Sequence, residues 1–356
     1  MKWNFFGTNV VILGAGFSSA ATEGRSPLMR GFFDKLERDN YPELYDFVNE
    51  HGCNQVCTRI EDANVENVLL ALDQTDNCPS PLRNRLVGNL FEKNSICDQL
   101  AYYTIMRFKT MGGWSPENWA VQTLAKASER TTVISMNYDV LADSILSSRT
   151  GMEHFPSKTL SCPHCKMRYL LSQACNCTTH PGFTDETIWQ GALLKLHGSI
   201  AWKRCLNPAC CAYQCLVPDE QCRAFEPHEC PKCSRMCSPA LVMPTMNKNL
   251  KETPEIDAMW QAAMAAIENA ESILIFGFSF PRSDELLIQS FRKAIETSKR
   301  LKKVGIIDLD PQAVAHNFRC CLPVGYHVEY AYLNSTKSGV PDWFNVEPKQ
   351  LFNICN

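Results

Sequence analysis

The sequence predicts an α/β protein built on a doubly wound, mostly parallel sheet. Two observations carry that expectation. Short apolar or β-branched runs recur along the chain, and each stops at a polar or glycine-rich loop. Helical patterns fill the intervals between them. A third observation adds cysteine-rich insertions. The chain holds 19 cysteines, and twelve of them fall between Cys162 and Cys237.

The elements follow in order. Asn9–Leu13 reads as a buried strand running into the turn Gly14-Ala15-Gly16. From Leu28 to Phe108 the patterns are helical, which predicts a helical subdomain over residues 28–115. Within it, Ala63–Leu72 has apolar residues at helical spacing, and Phe32–Glu37 reads as a solvated helix face carrying Asp34. Asn118–Ser128 is a further helix. Thr131–Ser135 is a strand that stops at Met136-Asn137-Tyr138-Asp139, and Ala192–Leu196 is one that ends at His197-Gly198-Ser199. After Pro244, Ile256–Ala270 is an alanine-rich helix and Ser272–Phe276 a strand entering Gly277-Phe278-Ser279-Phe280-Pro281. Asp284–Arg300 reads as a helix capped by Ser283, and Val304–Ile307 as a strand ending at Asp308. Ligands of such sheets bind beyond the carboxyl ends of the strands. The loops starting at Gly14, Asn137, His197, Gly277 and Asp308 are therefore expected on one crevice.

Composition narrows the function. At 356 residues the chain has room for about two domains at ~150 residues each; the expectation is a single domain, 1–356, with insertions. An apolar fraction of 45% and a charged fraction of 21% exclude general disorder. Thirty-five basic against 38 acidic residues give −3, which speaks against direct nucleic-acid binding. The longest basic cluster, Lys299, Arg300, Lys302 and Lys303, falls where a helix should end, and there it complements the helix dipole. The apolar N-terminal run is broken by Asn4, Asn9, Gly14 and Gly16, so it makes a poor membrane-inserting core. No stretch reaches the ~18 apolar residues of a span. A cytoplasmic protein without membrane association is expected.

An odd cysteine count with CxxC pairs in a long chain points to metal rather than disulfides. Cys205-x4-Cys210 and Cys230-x2-Cys233 have the spacing of two knuckles of a four-thiolate zinc site, in a module over 202–240. Cys211, Cys215, Cys222, His228 and Cys237 are spare candidates. Cys162-x2-Cys165 and Cys175-x-Cys177 offer a second site in an insertion over 160–180, with His164 and His180 as substitutes. Closed all-cysteine sites are structural. Trp202 and Trp260 read as core or cleft wall.

Three motifs carry chemistry. Gly14-Ala15-Gly16-Phe17-Ser18 has two of the three glycines of a dinucleotide fingerprint, although a tight turn needs the same residues. Asn137 and Asp139 end a strand; Asn can order a water or a ribose hydroxyl, and both residue types also cap turns. His197 precedes a glycine and can serve as a base near neutral pH.

The ordered set resembles the sirtuin superfamily: Gly-Ala-Gly-Phe-Ser, then Met-Asn-Tyr-Asp, Lys-Leu-His-Gly-Ser, a cysteine knuckle, Gly-Phe-Ser-Phe-Pro and Ile307-Asp308. The resemblance implies a Rossmann-like fold, NAD+ as substrate and structural zinc. It implies that Gly14, Ala15, Gly16, Ser18, Gly277 and Ser279 hold the NAD phosphates and riboses. Asn137 and Asp139 would face the nicotinamide riboside, His197 would be the base, and Asp308 would bind the adenosine ribose. Three departures set the chain apart from protein deacylases. Met136 replaces the usual glutamine, no Pro-Asp-Phe-Arg segment follows near Ser26-Pro27-Leu28, and no Leu-His stretch follows Asp139. Met-Asn-Tyr-Asp and Gly-Phe-Ser-Phe-Pro look more like bacterial sirtuin-like proteins of antiphage defence, members of which hydrolyse NAD. The implied function is NAD+ glycohydrolysis, with homo-oligomerisation or a separately encoded partner as the control. A protein deacylase and a non-catalytic NAD- or ADP-ribose-binding module are the alternatives.

Overall fold

A computed structural model describes residues 8–29, 31–52, 59–74, 96–109, 111, 113–125, 131–148, 192–205, 207, 209–210, 216–218, 229–230, 232–235, 237–241, 254–281 and 284–334. Six strands form one sheet, β1 (Asn9–Leu13), β2 (Thr131–Ser135), β3 (Ala192–Lys195), β7 (Ser272–Phe276), β8 (Lys303–Asp308) and β9 (Glu329–Asn334). Their spatial order is β3-β2-β1-β7-β8-β9, and every neighbouring pair is parallel. The fold is α/β and Rossmann-like, as the alternation of strands and helices predicts. The order reverses between β1 and β7, the switch point where such sheets open a crevice.

Parallel sheets are covered on both faces, and the strands are buried accordingly. Alternate residues face opposite layers. Val10, Ile12, Ile134, Ile275 and Ile306 pack with Trp260 of α7 (Pro254–Asn269), Phe291 of α8 (Glu285–Ser298) and Phe318 of α9 (Pro311–Phe318). Val11, Leu13, Val133 and Phe276 pack with Phe17 of α1 (Ala15–Ala21), Val121 of α5 (Trp119–Ala125) and Ile145 of α6 (Leu141–Ser148).

Helices α2 (Pro42–His51), α3 (Val65–Gln74) and α4 (Ile96–Lys109) gather a separate apolar cluster around Phe33, Leu44, Leu72 and Tyr103. The segment before α2 is turns rather than helix. Asp34 does not sit on a solvated helix face there; it pairs with the buried Arg107 of α4 at 2.9 Å. That guanidinium also donates to the Phe32 carbonyl, so one cation satisfies a turn that has no helical ladder.

A second, antiparallel sheet orders β5 (Leu216–Pro218), β4 (Gly198–Cys205) and β6 (Cys237–Leu241). β4 begins three residues after β3 ends, so the chain leaves one sheet for the other across Leu196 and His197. Helix α8 starts at Glu285, not Asp284, and stops at Ser298, where Lys299 turns left-handed at φ 53°. The basic cluster beyond it is tied down, with Arg300 and Lys302 each 3.2 Å from Glu271. The insertion over 160–180, with Cys162, Cys165, Cys175 and Cys177, lies outside the described residues.

Candidate active site

The floor of the site is two glycine loops pressed together. Gly14 N donates to the Phe276 carbonyl at 3.0 Å, and Gly16 N donates to that of Gly277 at 2.9 Å. Gly277 sits at φ +64°, and a Cβ on it would lie 2.2 Å from the Phe17 nitrogen. A Cβ on Gly14 would lie 2.4 Å from the Gly277 oxygen. These glycines are required by backbone-to-backbone approach across the switch point. The Gly14 and Gly16 N–H groups are spent on that contact and are not presented to a ligand.

Above this floor lies a cavity of about 1030 Å³. All five loops named from the sequence reach it: Ala15 and Gly16 after β1, Met136 to Tyr138 after β2, His197 after β3, Gly277 and Ser279 after β7, and Asp308 after β8. The rest of the lining includes the apolar Met29, Phe32, Val65, Leu69 and Phe108 beside the polar Glu23, Ser115, Glu117 and Asn118. Gly14, Ser18 and Asp139 are not on the lining; they stand behind it.

Those hidden residues position Asn137. Its Nδ2 donates to the Gly14 carbonyl at 2.9 Å and to Ser18 Oγ at 2.8 Å. Both amide hydrogens point inward, so Oδ1 is the atom offered to a ligand. Ser18 passes the chain on, donating to Asp139 Oδ2 at 2.6 Å, while Asp139 Oδ1 accepts from Leu141 N. Burial pushes the Asp139 carboxyl up; the nearby Lys195 and the Ser18 bond pull it down. Lys195 is itself buried, donates to the Asp139 carbonyl and pairs with Asp143 at 2.8 Å. Asp139 therefore sits in a satisfied internal network. Asp308 is half-buried and its carboxyl is also raised by burial, while the Asp310 and Leu309 N–H groups oppose the shift.

His197 is almost fully buried at the sheet-to-sheet junction. Its Nδ1 lies 3.2 Å from the Met136 carbonyl and its Nε2 3.3 Å from Asp284 Oδ1. The Tyr138 ring is 6.1 Å away and tilted by 35°. Burial pushes the Tyr138 phenol up, and the Asp284 charge adds to that. Asp284 lines the cavity too. Sequence reasoning passed over it: with Ser283 read as the cap, Asp284 looked like an ordinary first-turn acid.

The second cysteine cluster closes into one site. The sulfurs of Cys205, Cys210, Cys230 and Cys233 lie within 4.8 Å of one another. Cys205 to Cys233 is 3.6 Å and Cys210 to Cys230 is 3.8 Å. Tetrahedral zinc with bonds of ~2.3 Å separates its sulfurs by ~3.8 Å, so the donor set fits. Cys237, opposite Cys205 in the β4–β6 ladder, is buried beside the four but is not one of them. Trp202 and Trp260 are core residues; Trp260 Nε1 donates to the Leu196 carbonyl at 2.9 Å.

No family model matches the sequence. No curated protein matches it either. Two solved sirtuin structures are similar to it. One, described under the structural basis for sirtuin substrate affinity, is 12% identical, with 97% of this chain and 92% of that chain covered and a TM-score of 0.35. The other is a Sir2 variant with deacetylated p53 peptide and 3′-O-acetyl ADP-ribose, 14% identical, with 88% and 91% covered and a TM-score of 0.32. At these scores the overlap is loose, and the fold assignment stands on the sheet topology.

Proposed function

We propose that the protein is an NAD+ glycohydrolase, releasing nicotinamide and ADP-ribose. One observation carries the reading: Asn137 and His197 meet on a single cavity at the switch point of the sheet, lined by glycine loops and by apolar residues. A cavity of about 1030 Å³ is large enough for a dinucleotide.

In the reaction the C1′–N bond breaks and its electron pair leaves with nicotinamide. A water oxygen bonds to C1′, and one water proton goes to the site. Asn137 Oδ1 accepts a hydrogen bond from that water or from a ribose hydroxyl and fixes its line of approach. His197 takes the proton. Asp139 acts from behind by holding Ser18, and through it Asn137. Ala15, Gly16, Gly277 and Ser279 give close approach to the phosphates, and Asp308 accepts from a ribose diol. Cys205, Cys210, Cys230 and Cys233 would hold a structural zinc that fixes the small sheet. An NAD-depleting role in antiphage defence, with a homo-oligomer or a partner protein as trigger, belongs to the same proposal.

The test is a time course of nicotinamide and ADP-ribose with NAD+ alone and with an acyl-lysine peptide. Release without peptide that falls at least ~100-fold in His197→Ala is expected. Release that depends on the peptide would replace this reading with a deacylase, for which Met29, Phe32 and Leu69 offer apolar room.

A further inference from the structure

We infer that Asp284 is the acid partner of His197, a positioning residue that grips Nε2 and keeps a proton on the pair in the resting protein. The inference rests on the reading of His197 as the proton acceptor and deepens it.

Three observations carry it. First, both imidazole nitrogens face oxygens that accept. The Met136 carbonyl lies 3.2 Å from Nδ1 and Asp284 Oδ1 lies 3.3 Å from Nε2. A carbonyl and a carboxylate have no proton to give, so a neutral imidazole satisfies only one of them. The pair is satisfied when it carries one more proton, as imidazolium with carboxylate or as imidazole with carboxylic acid. Second, the contact is dry: the side chains are 4% and 1% exposed. Water does not screen it, and an unpartnered carboxylate there would cost several kcal/mol. Third, Asp284 stands at the N-cap of α8, where aspartate ordinarily accepts from an N–H of the first turn. It makes no such capping bond. The side chain turns from its local task to the histidine.

Among the described residues, the titratable groups around the imidazole have roles of their own. Tyr138, from the β2–α6 loop, keeps its phenol proton because burial and the Asp284 charge both favour the neutral form. Lys195, two residues before His197, is committed to Asp143 and the Asp139 carbonyl. Trp260 of α7 donates to the Leu196 carbonyl and packs in the same apolar cluster as Leu196. Asp308 lies on the same cavity, from the β8 loop.

The proton balance follows. The shared proton leaves to solvent through the cavity as pH rises. The deprotonated pair then takes up the one proton that hydrolysis releases from the attacking water, and the Asp284 charge stabilises the imidazolium that results. Removing the carboxylate makes the ring a weaker base.

The experiment is a histidine titration by NMR on the full chain, with the His197 resonance assigned by loss in His197→Gln. In Asp284→Asn the His197 midpoint should fall by about one pH unit, a tenfold change in proton affinity, and Asp284→Glu should restore much of it. The acid limb of nicotinamide release should move down by the same amount. An unchanged His197 midpoint in a folded Asp284→Asn protein overturns the inference. If that variant does not fold, the wild-type midpoint decides. A value above the ordinary ~6.5 supports the pair, and one at or below it refutes it. If no protein releases nicotinamide, the glycohydrolase reading fails while the titration still tests the pair.

Discussion

Ser18 joins the two halves of the Asn137 network, accepting from Asn137 and donating to Asp139. Ser18→Ala removes both bonds and leaves a buried carboxylate short of a donor, at a cost of roughly 1–3 kcal/mol. Its thermal midpoint should drop by a few degrees, and NAD+ turnover should drop further than the stability loss explains, because Asn137 loses one of its two anchors. Turnover equal to wild type in the folded variant would show that Asn137 needs no such anchor. At Gly277 the expected effect is larger. Gly277→Ala forces a Cβ to 2.2 Å from the Phe17 nitrogen at a positive φ, so a loss of about 3 kcal/mol or more is expected in urea denaturation. At this scale the sequence showed which residues matter more clearly than what they do. The fingerprint glycines read as phosphate contacts or as a tight turn, and the Gly14 and Gly16 N–H groups close a contact between loops. Asp284 was hidden because an acid in the first turn of a helix ordinarily does no more than complement the dipole.

The elements of the parallel sheet were readable because strands buried on both faces are continuous apolar runs. β1, β2 and β7 start and stop where the sequence placed them. β4, β5 and β6 were not readable. They are antiparallel strands in a stretch of cysteine, proline and charge, with a register shift between Ser199 and Lys203, so no alternation survives. β9 pairs on one side only, and its Tyr330 and Tyr332 are partly exposed, which gives no apolar run. The cysteine knuckles were readable by spacing, and they yield a prediction for these strands. Cys210→Ser or Cys230→Ser should lose about one equivalent of bound zinc per chain by elemental analysis. Since β4 follows directly from His197, the same variants should lose NAD+ turnover as well. Full zinc content in both variants would mean that other cysteines hold the metal.

At the scale of the molecule, the three largest apolar clusters among the described residues lie one on each face of the sheet and one among α2, α3 and α4. The third is rich in tyrosine, and this sets its pH response. Burial pushes the Tyr41 phenol up to about 12, and Tyr103 rises with it. Unfolded tyrosine loses its proton near 10, so the folded chain holds more protons between these values. The Tyr41 contribution is full below about pH 10 and is lost as pH rises toward about 12. Tyr41→Phe should therefore lose less urea resistance than wild type between pH 9.5 and about 11.5; parallel losses would place the alkaline sensitivity elsewhere. Among the described residues no helix is long and apolar enough to cross a membrane. The interlocked glycines at 14, 16 and 277 also bear on how such a protein changes over generations. Their clash is main chain against main chain, so no repacking of neighbouring side chains relieves it. The three positions behave as one heritable unit despite their distance in sequence. Side-chain changes among the apolar lining residues Met29, Val65 and Leu69 meet no such main-chain clash, so specificity is the more readily remade there.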